Sequence, residues 1–322
     1  MDAVAYALAV GATTYLVPES WTAKTPLSAT RNYFGQSTLA DGTVLITGGL
    51  LGGVVSADVQ SYDPSTESWT IKTPMPATRY RHGQSTLSDG TVLVTGGYVS
   101  GSRSADVRSY NPSTNAWTVK TALPGTRYYH GQSTLSDGTV LVTGGASSTT
   151  TADVRSYDPF TNAWTVKTAL PATRFLHGQS TLNDGTVLVI GGNVLGVVSA
   201  DVQQYDPSTN AWTTKTALPE TRSVHGQSTL ADGTVLVTGG TVSGVVSADV
   251  QSYDPSTESW TTKTALPETR SVHGQSTLAD GTVLVTGGTV SGVVSVDVQS
   301  YTSAENAFTP GRAALLGYLA AN

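Results

Sequence analysis

Apolar and polar positions alternate and cluster in this chain with a period close to four dozen residues. One unit, from Arg222 to Trp260, shows the pattern. The half-polar segment HGQSTL is followed by Asp232-Gly233 and then by the apolar run TVLVTGG. A variable stretch, the segment SADVQSYD, a Pro-led turn PSTES and a final run around Trp260 complete the unit. Short apolar runs bounded by turn residues predict strands, and no segment of the repeats has helical periodicity. The run Val235 to Val237 is continuous rather than alternating, which predicts a strand covered on both faces. Asp-Gly between two such runs predicts a hairpin with a type I′ turn. Each unit therefore supplies four strands.

Repetition fixes the organisation. Trp21, Trp69, Trp117, Trp164, Trp212 and Trp260 recur at intervals of 47 or 48 residues. Gly-Gly pairs beginning at Gly48, Gly96, Gly144, Gly191, Gly239 and Gly287 keep the same period, as do Arg31, Arg79, Arg127, Arg174, Arg222 and Arg270. A period of this length points to propeller blades. The segments from Thr213 and from Thr261 differ at one aligned position over their common length, Ala248 against Val296, which indicates recent or deliberate duplication.

The recurring order of Arg, His-Gly, Gly-Gly, Tyr-Asp-Pro and Trp resembles the Kelch motif, and DGTVLVTGG with SADVQSYDPSTESW is most similar to the bacterial type of that family. The resemblance runs from about Trp21 to Tyr301. It implies an all-β, six-bladed Kelch β-propeller with four antiparallel strands per blade, the first strand nearest the central channel. The Trp21 run precedes all six sets of inner strands, so it is expected to complete the last blade and leave no open edge. Phe308, 48 residues after Trp260, is the rival for that place. Residues 1–301 then form one propeller, and residues 302–322 a tail outside the repeat.

Because the units are so alike, their differences are informative. They follow each repeated Arg (Asn32-Tyr33, Tyr80-Arg81, Tyr128-Tyr129, Phe175-Leu176, Ser223-Val224, Ser271-Val272) and each glycine pair. In an antiparallel four-stranded blade these two connections lie at one end, and the Asp-Gly and Asp-Pro turns at the other. Individuality is therefore expected on a single face, and loops on a rigid scaffold commonly carry function. Tyr33, Tyr80, Arg81, Tyr98, Arg103, Tyr128, Tyr129 and Phe175 fall in the first four units and are the candidate ligand-binding residues. Aromatic residues and Arg are enriched at binding hot spots. The expected function is a non-catalytic module that binds a protein or carbohydrate ligand at this face, as a monomer. A self-assembling repeat protein and a sugar mutarotase-like enzyme are the alternatives.

Composition narrows the partners. The 322 residues carry a net charge of -6 and 12% charged residues, with no basic patch to attract nucleic acid. The first seventeen residues are apolar, but they lack the basic start of a signal peptide and are too short to span a bilayer, so they are read as part of the fold. No cysteine is present, so disulfides, thiolate metal sites and cysteine nucleophiles are excluded. The copper site of galactose oxidase, also a Kelch propeller, needs a cysteine and is excluded with them. The once-per-blade His82, His130, His177, His225 and His273, with Phe34 in the first unit, are expected to make a repeated structural hydrogen bond rather than hold a metal. The repeated Arg and Asp, such as Arg79 with Asp106 and Arg222 with Asp249, are expected to form a strand clamp. No cofactor is expected.

Overall fold

The computed structural model describes residues 18–304, and among them every regular element is a strand. Six antiparallel sheets of four strands repeat one plan. In the second sheet the strands run Gly83–Thr86, Val92–Thr95, Val107–Asn111 and Ala116–Lys120, in that order from the centre outward. Register is set by Gly83 opposite Thr95, Val92 opposite Tyr110, and Tyr110 opposite Trp117.

The continuous apolar run of the second strand has the cover its pattern requires. Val92 and Val94 point into a cluster with Leu45 and Val59 of the first sheet, while Leu93 points the other way, towards Val140 and Val142 of the third. All four residues Val92–Thr95 are buried. Six such clusters fill the gaps between neighbouring sheets, and the one holding Val44, Ile46, Leu284 and Val298 joins the last sheet to the first. Six sheets with six interfaces leave no open radial side.

The N-terminal strand Ser20–Ala23 completes the last sheet by pairing with Val298–Thr302, Trp21 opposite Tyr301. The two rings lie 5.0 Å apart, the distance that also separates Tyr62 from Trp69. Phe308 and the rest of the tail from residue 305 lie outside the described residues. Hydrogen bonds continue from blade to blade through this junction. Trp117 donates its indole N–H to the Thr73 carbonyl at 3.0 Å, and Trp21 does the same to Thr264 at 2.9 Å. On the inner strands, Gln84 donates to the Leu45 carbonyl at 3.0 Å, and Gln36 to Leu284 at 3.1 Å.

The repeated Arg, Asp and glycine pair are one device. The Arg79 guanidinium is 2% exposed; it pairs with the Asp106 carboxylate and donates through Nη1 to the Gly96 carbonyl at 2.6 Å. Gly97 N–H in turn donates to the Arg127 carbonyl of the next blade at 2.6 Å. The chain can pass beneath that carbonyl only without a side chain. Gly96 has φ of 60°, and a Cβ there would lie 2.4 Å from the Arg127 oxygen. All six clamps form, including Arg222 with Asp249.

Two local expectations change. In the Asp-Gly hairpins only glycine takes positive φ, 88° at Gly233, while Asp232 does not. Gly233 N–H donates to the Leu230 carbonyl, and Leu230 N–H to the Thr234 carbonyl. This is a three-residue loop, a type I turn followed by a left-handed glycine, rather than type I′. Asp232 favours it by accepting from both the N–H and the hydroxyl of Thr234. The second change is that strands exceed four per unit, because five blades carry an additional three-stranded ribbon.

Candidate functional site

Those ribbons build the variable face. The residue after each repeated Arg pairs with the hairpin that follows the glycine pair: Tyr80 opposite Tyr98, Phe175 opposite Asn193, and Ser223 opposite Thr241. In the third blade the ribbon shrinks to single bridges, Tyr128 to Ala146 and Ala146 to Thr150. The two variable segments of each unit therefore touch. At the hairpin tips of other blades, Val54, Val197, Val245 and Val293 stand about 70% exposed.

The next residue along makes a closed collar at the channel mouth. Arg81 N–H donates to the Tyr33 carbonyl, Tyr129 to Arg81, Leu176 to Tyr129, Val224 to Leu176, Val272 to Val224 and Tyr33 back to Val272, at 2.9–3.3 Å. All six hold φ between 51° and 60°, a left-handed conformation that is costly for non-glycine residues and most unusual for valine. The ring of hydrogen bonds holds them there.

This collar turns six side chains over a cavity of about 200 Å³, whose floor is formed by Phe34 and the five histidines. One wall carries Tyr33, Arg81 and Tyr129, and the other Leu176, Val224 and Val272. The Arg81 guanidinium carbon sits 4.6 Å from the ring centre of Tyr129, 4.8 Å from Tyr33, 4.9 Å from Tyr80 and 5.8 Å from Tyr98. Four aromatic faces within about 6 Å make a dense cation–π site.

The sequence-predicted residues are brought together. Tyr80 stacks on Tyr98 at 5.1 Å, Tyr98 meets Tyr128 at 4.8 Å, Tyr128 meets Tyr129 at 5.3 Å, and Tyr129 touches Tyr33 and Phe175 at 5.9 and 6.5 Å. Arg103 lies opposite Tyr98 in its ribbon and donates to the Ser147 carbonyl at 2.5 Å. Burial, reinforced by the neighbouring Tyr33 hydroxyl, raises the Tyr129 phenol above its ordinary value although Arg81 opposes the shift. Tyr128 is raised by burial and by its hydrogen bond with Tyr98.

Beneath the collar four of the five histidines bond back to a threonine of the preceding blade. His82 lies 2.9 Å from Thr47 Oγ1 and His130 lies 2.8 Å from Thr95 Oγ1, both through Nε2. Thr47 and Thr95 donate their hydroxyls to Gln84 and Gln132, so the imidazole Nε2 must carry the proton. In the fourth blade Ile190 replaces this threonine, and both nitrogens of His225 are buried without a partner. Where Phe34 replaces histidine, it is the Thr286 hydroxyl that is left buried and unpaired. Burial, followed by the charge of the adjacent clamp arginine, pushes His130 and His225 down to about 3 and the others well below their ordinary value.

Sequence reasoning did not single out Leu176, Val224, Val272 or Phe34 as cavity residues. The second position after Arg for Leu176, Val224 and Val272, and the place of the repeated histidine for Phe34, were the available signals, but their chemistry is that of ordinary core residues. Phe160 was also missed. It is 96% exposed in the Asp-Pro turn of the opposite face, where Ser65, Ser113, Ser208 and Ser256 stand in four of the other blades.

The KLHDC2/KLHL20/DRC7 Kelch-repeats domain matches residues 119–288, and the Kelch motif matches residues 37–76 and 80–124. The solved structure of YjhT has a TM-score of 0.72 with this chain at 17% identity, covering 85% of this chain and 95% of that one, a likeness of fold. No curated protein matches the chain. Kelch propeller domains generally mediate protein interactions. With the family domain matched over more than half its length and six Kelch blades in its fold, the chain belongs to the Kelch-repeat family.

Proposed function

We propose that this propeller is a non-catalytic binding module whose ligand, a protein or a glycan, docks on the face formed by the ribbons. The observation that carries this reading is the contiguous aromatic and arginine patch from Tyr80 and Tyr98 through Tyr128 and Tyr129 to Tyr33 and Phe175. The fifth and sixth blades hold the same backbone with Ser-Val, so the blade does not need the aromatics in order to form. Flat, rigid tyrosine surfaces contribute contact area at little entropic cost and suit both protein side chains and sugar rings. Among the described residues, no carboxylate lines the cavity to serve as a general base.

The test is a glycan and protein-ligand array probed with the parent protein and with a variant carrying Tyr80→Ser, Arg81→Val, Tyr128→Ser and Tyr129→Val. The variant should melt as the parent does and lose ligand retention by tenfold or more. Equal retention by a folded variant would refute the reading.

A further inference from the structure

Among the described residues, the arginines are nearly all accounted for. Six are clamped to Asp, Arg108 and Arg155 pair with Asp106 and Asp153, and Arg103 is bonded to the Ser147 carbonyl. Arg81 differs from them. Among the described residues no carbonyl, hydroxyl or carboxylate accepts from its guanidinium, and its Nε is buried without a partner. Its cation is stabilised by four tyrosine faces, but π faces supply no acceptor to its N–H groups, and a buried donor such as its Nε is costly to leave unpaired.

The collar sharpens the point. All six of its backbone N–H groups are spent on one another, so an anion at the mouth has Arg81 as its charged donor. A planar guanidinium with a free fork matches a carboxylate in two parallel hydrogen bonds. Across the cavity, Leu176, Val224 and Val272 present an aliphatic wall that would reward an apolar body and offers nothing to a second charge. The volume of about 200 Å³ lies below the roughly 300–1,000 Å³ of sites that take drug-sized ligands.

We infer that the channel mouth is a receptor for a small organic monocarboxylate with a branched aliphatic or aromatic body, its carboxylate forked on Arg81 and its body against Leu176, Val224 and Val272. This goes beyond the proposed docking of a protein or glycan on the ribbon face and is tested independently of it. The Tyr80, Tyr98 and Tyr128 rings form the outer wall of the arginine seat, and Arg81 and the aliphatic residues decide what enters.

Isothermal titration and ligand-observed NMR with isovalerate, benzoate, isovaleramide and inorganic phosphate test the inference on the full chain. Variants Arg81→Val, the residue that the fifth and sixth blades carry there, and Arg81→Lys separate the fork from the charge, with thermal unfolding verifying each fold. The expected result is saturable binding of isovalerate and benzoate that weakens with added salt. Affinity should fall about tenfold or more in Arg81→Val, in keeping with loss of a charged hydrogen bond, and partly in Arg81→Lys. Isovaleramide and phosphate should bind at least tenfold more weakly. No saturation by either carboxylate up to about 10 mM, weaker than the millimolar end of specific binding, would overturn the inference. So would equal affinity for amide and carboxylate, or equal affinity in a folded Arg81→Val variant. If these fail while the array ligand is still lost in the four-site variant, the surface reading stands and the cavity reading falls. If array retention survives that variant while carboxylate binding is lost in Arg81→Val, the reverse holds.

Discussion

Replacing His225 by Phe isolates one proton-linked contribution to stability. His225 is the histidine whose threonine partner is missing, because Ile190 occupies that position. The first blade already carries Phe34 there, so the ring of inner strands accommodates the larger apolar side chain. Its imidazole nitrogens are buried even though the ring borders the cavity, and its folded value of about 3 lies below the ordinary 6.5. As pH falls, the unfolded chain takes the proton first. The neutral group's contribution is therefore complete above pH 6.5 and is lost as pH falls from there towards 3. One such group removes about 1.4 kcal/mol between pH 7.5 and 5.5. At pH 7.5 His225→Phe should match the parent to within about 1 kcal/mol, since no formed hydrogen bond is deleted. At pH 5.5 the variant should be more stable than it was relative to the parent by about 1.4 kcal/mol. His130→Phe should show the same pH increment on top of a constant loss of about 1 kcal/mol, from its bond to Thr95. Urea unfolding followed by tryptophan fluorescence across this range measures both. A parent-to-variant difference that does not change between pH 7.5 and 5.5 would refute the assignment of a buried, neutral His225. His82, His177 and His273 are shifted in the same direction by burial and by the neighbouring clamp arginines, so the parent should lose stability progressively as pH falls below 6.5.

Three further outcomes are expected. Asp106→Ala leaves the buried Arg79 cation without its carboxylate and should cost about 3 kcal/mol in urea unfolding; a loss under about 1 kcal/mol would mean that the Gly96 carbonyl suffices. Val272→Gly releases a β-branched residue from φ of 51° and should stabilise by about 1 kcal/mol; differential scanning calorimetry showing a lowered Tm would contradict the strain. Deleting residues 1–25 removes the strand that pairs Trp21 with Tyr301 and the Trp21 bond to Thr264, and should abolish a single cooperative melting transition.

Much of this molecule was legible in its sequence. The period set the number of blades, the run Val92 to Val94 reported a strand covered on both sides, and the position of Trp21 ahead of the first inner strand implied the closing pair with Tyr301. Variation confined to two connections located the face on which Tyr80 meets Tyr98. These features are local, or are repeated six times, so pattern alone exposes them. The Asp-Gly turns were misread because the dipeptide suits two hairpin geometries, and the Asp232 contacts to Thr234 decide between them.

What only the tertiary structure decided lies between blades. Tyr33, Arg81, Tyr129, Leu176, Val224 and Val272 have no single chemistry in common, and nothing in their types announces a collar of left-handed residues bonded carbonyl to amide around an axis. The free fork of Arg81 and the bond from His82 to Thr47 depend on partners some three dozen or more residues away in another blade. Amino-acid order encodes the pleat and the cover of each strand, whereas closing the ring determines which side chains face one another across the channel.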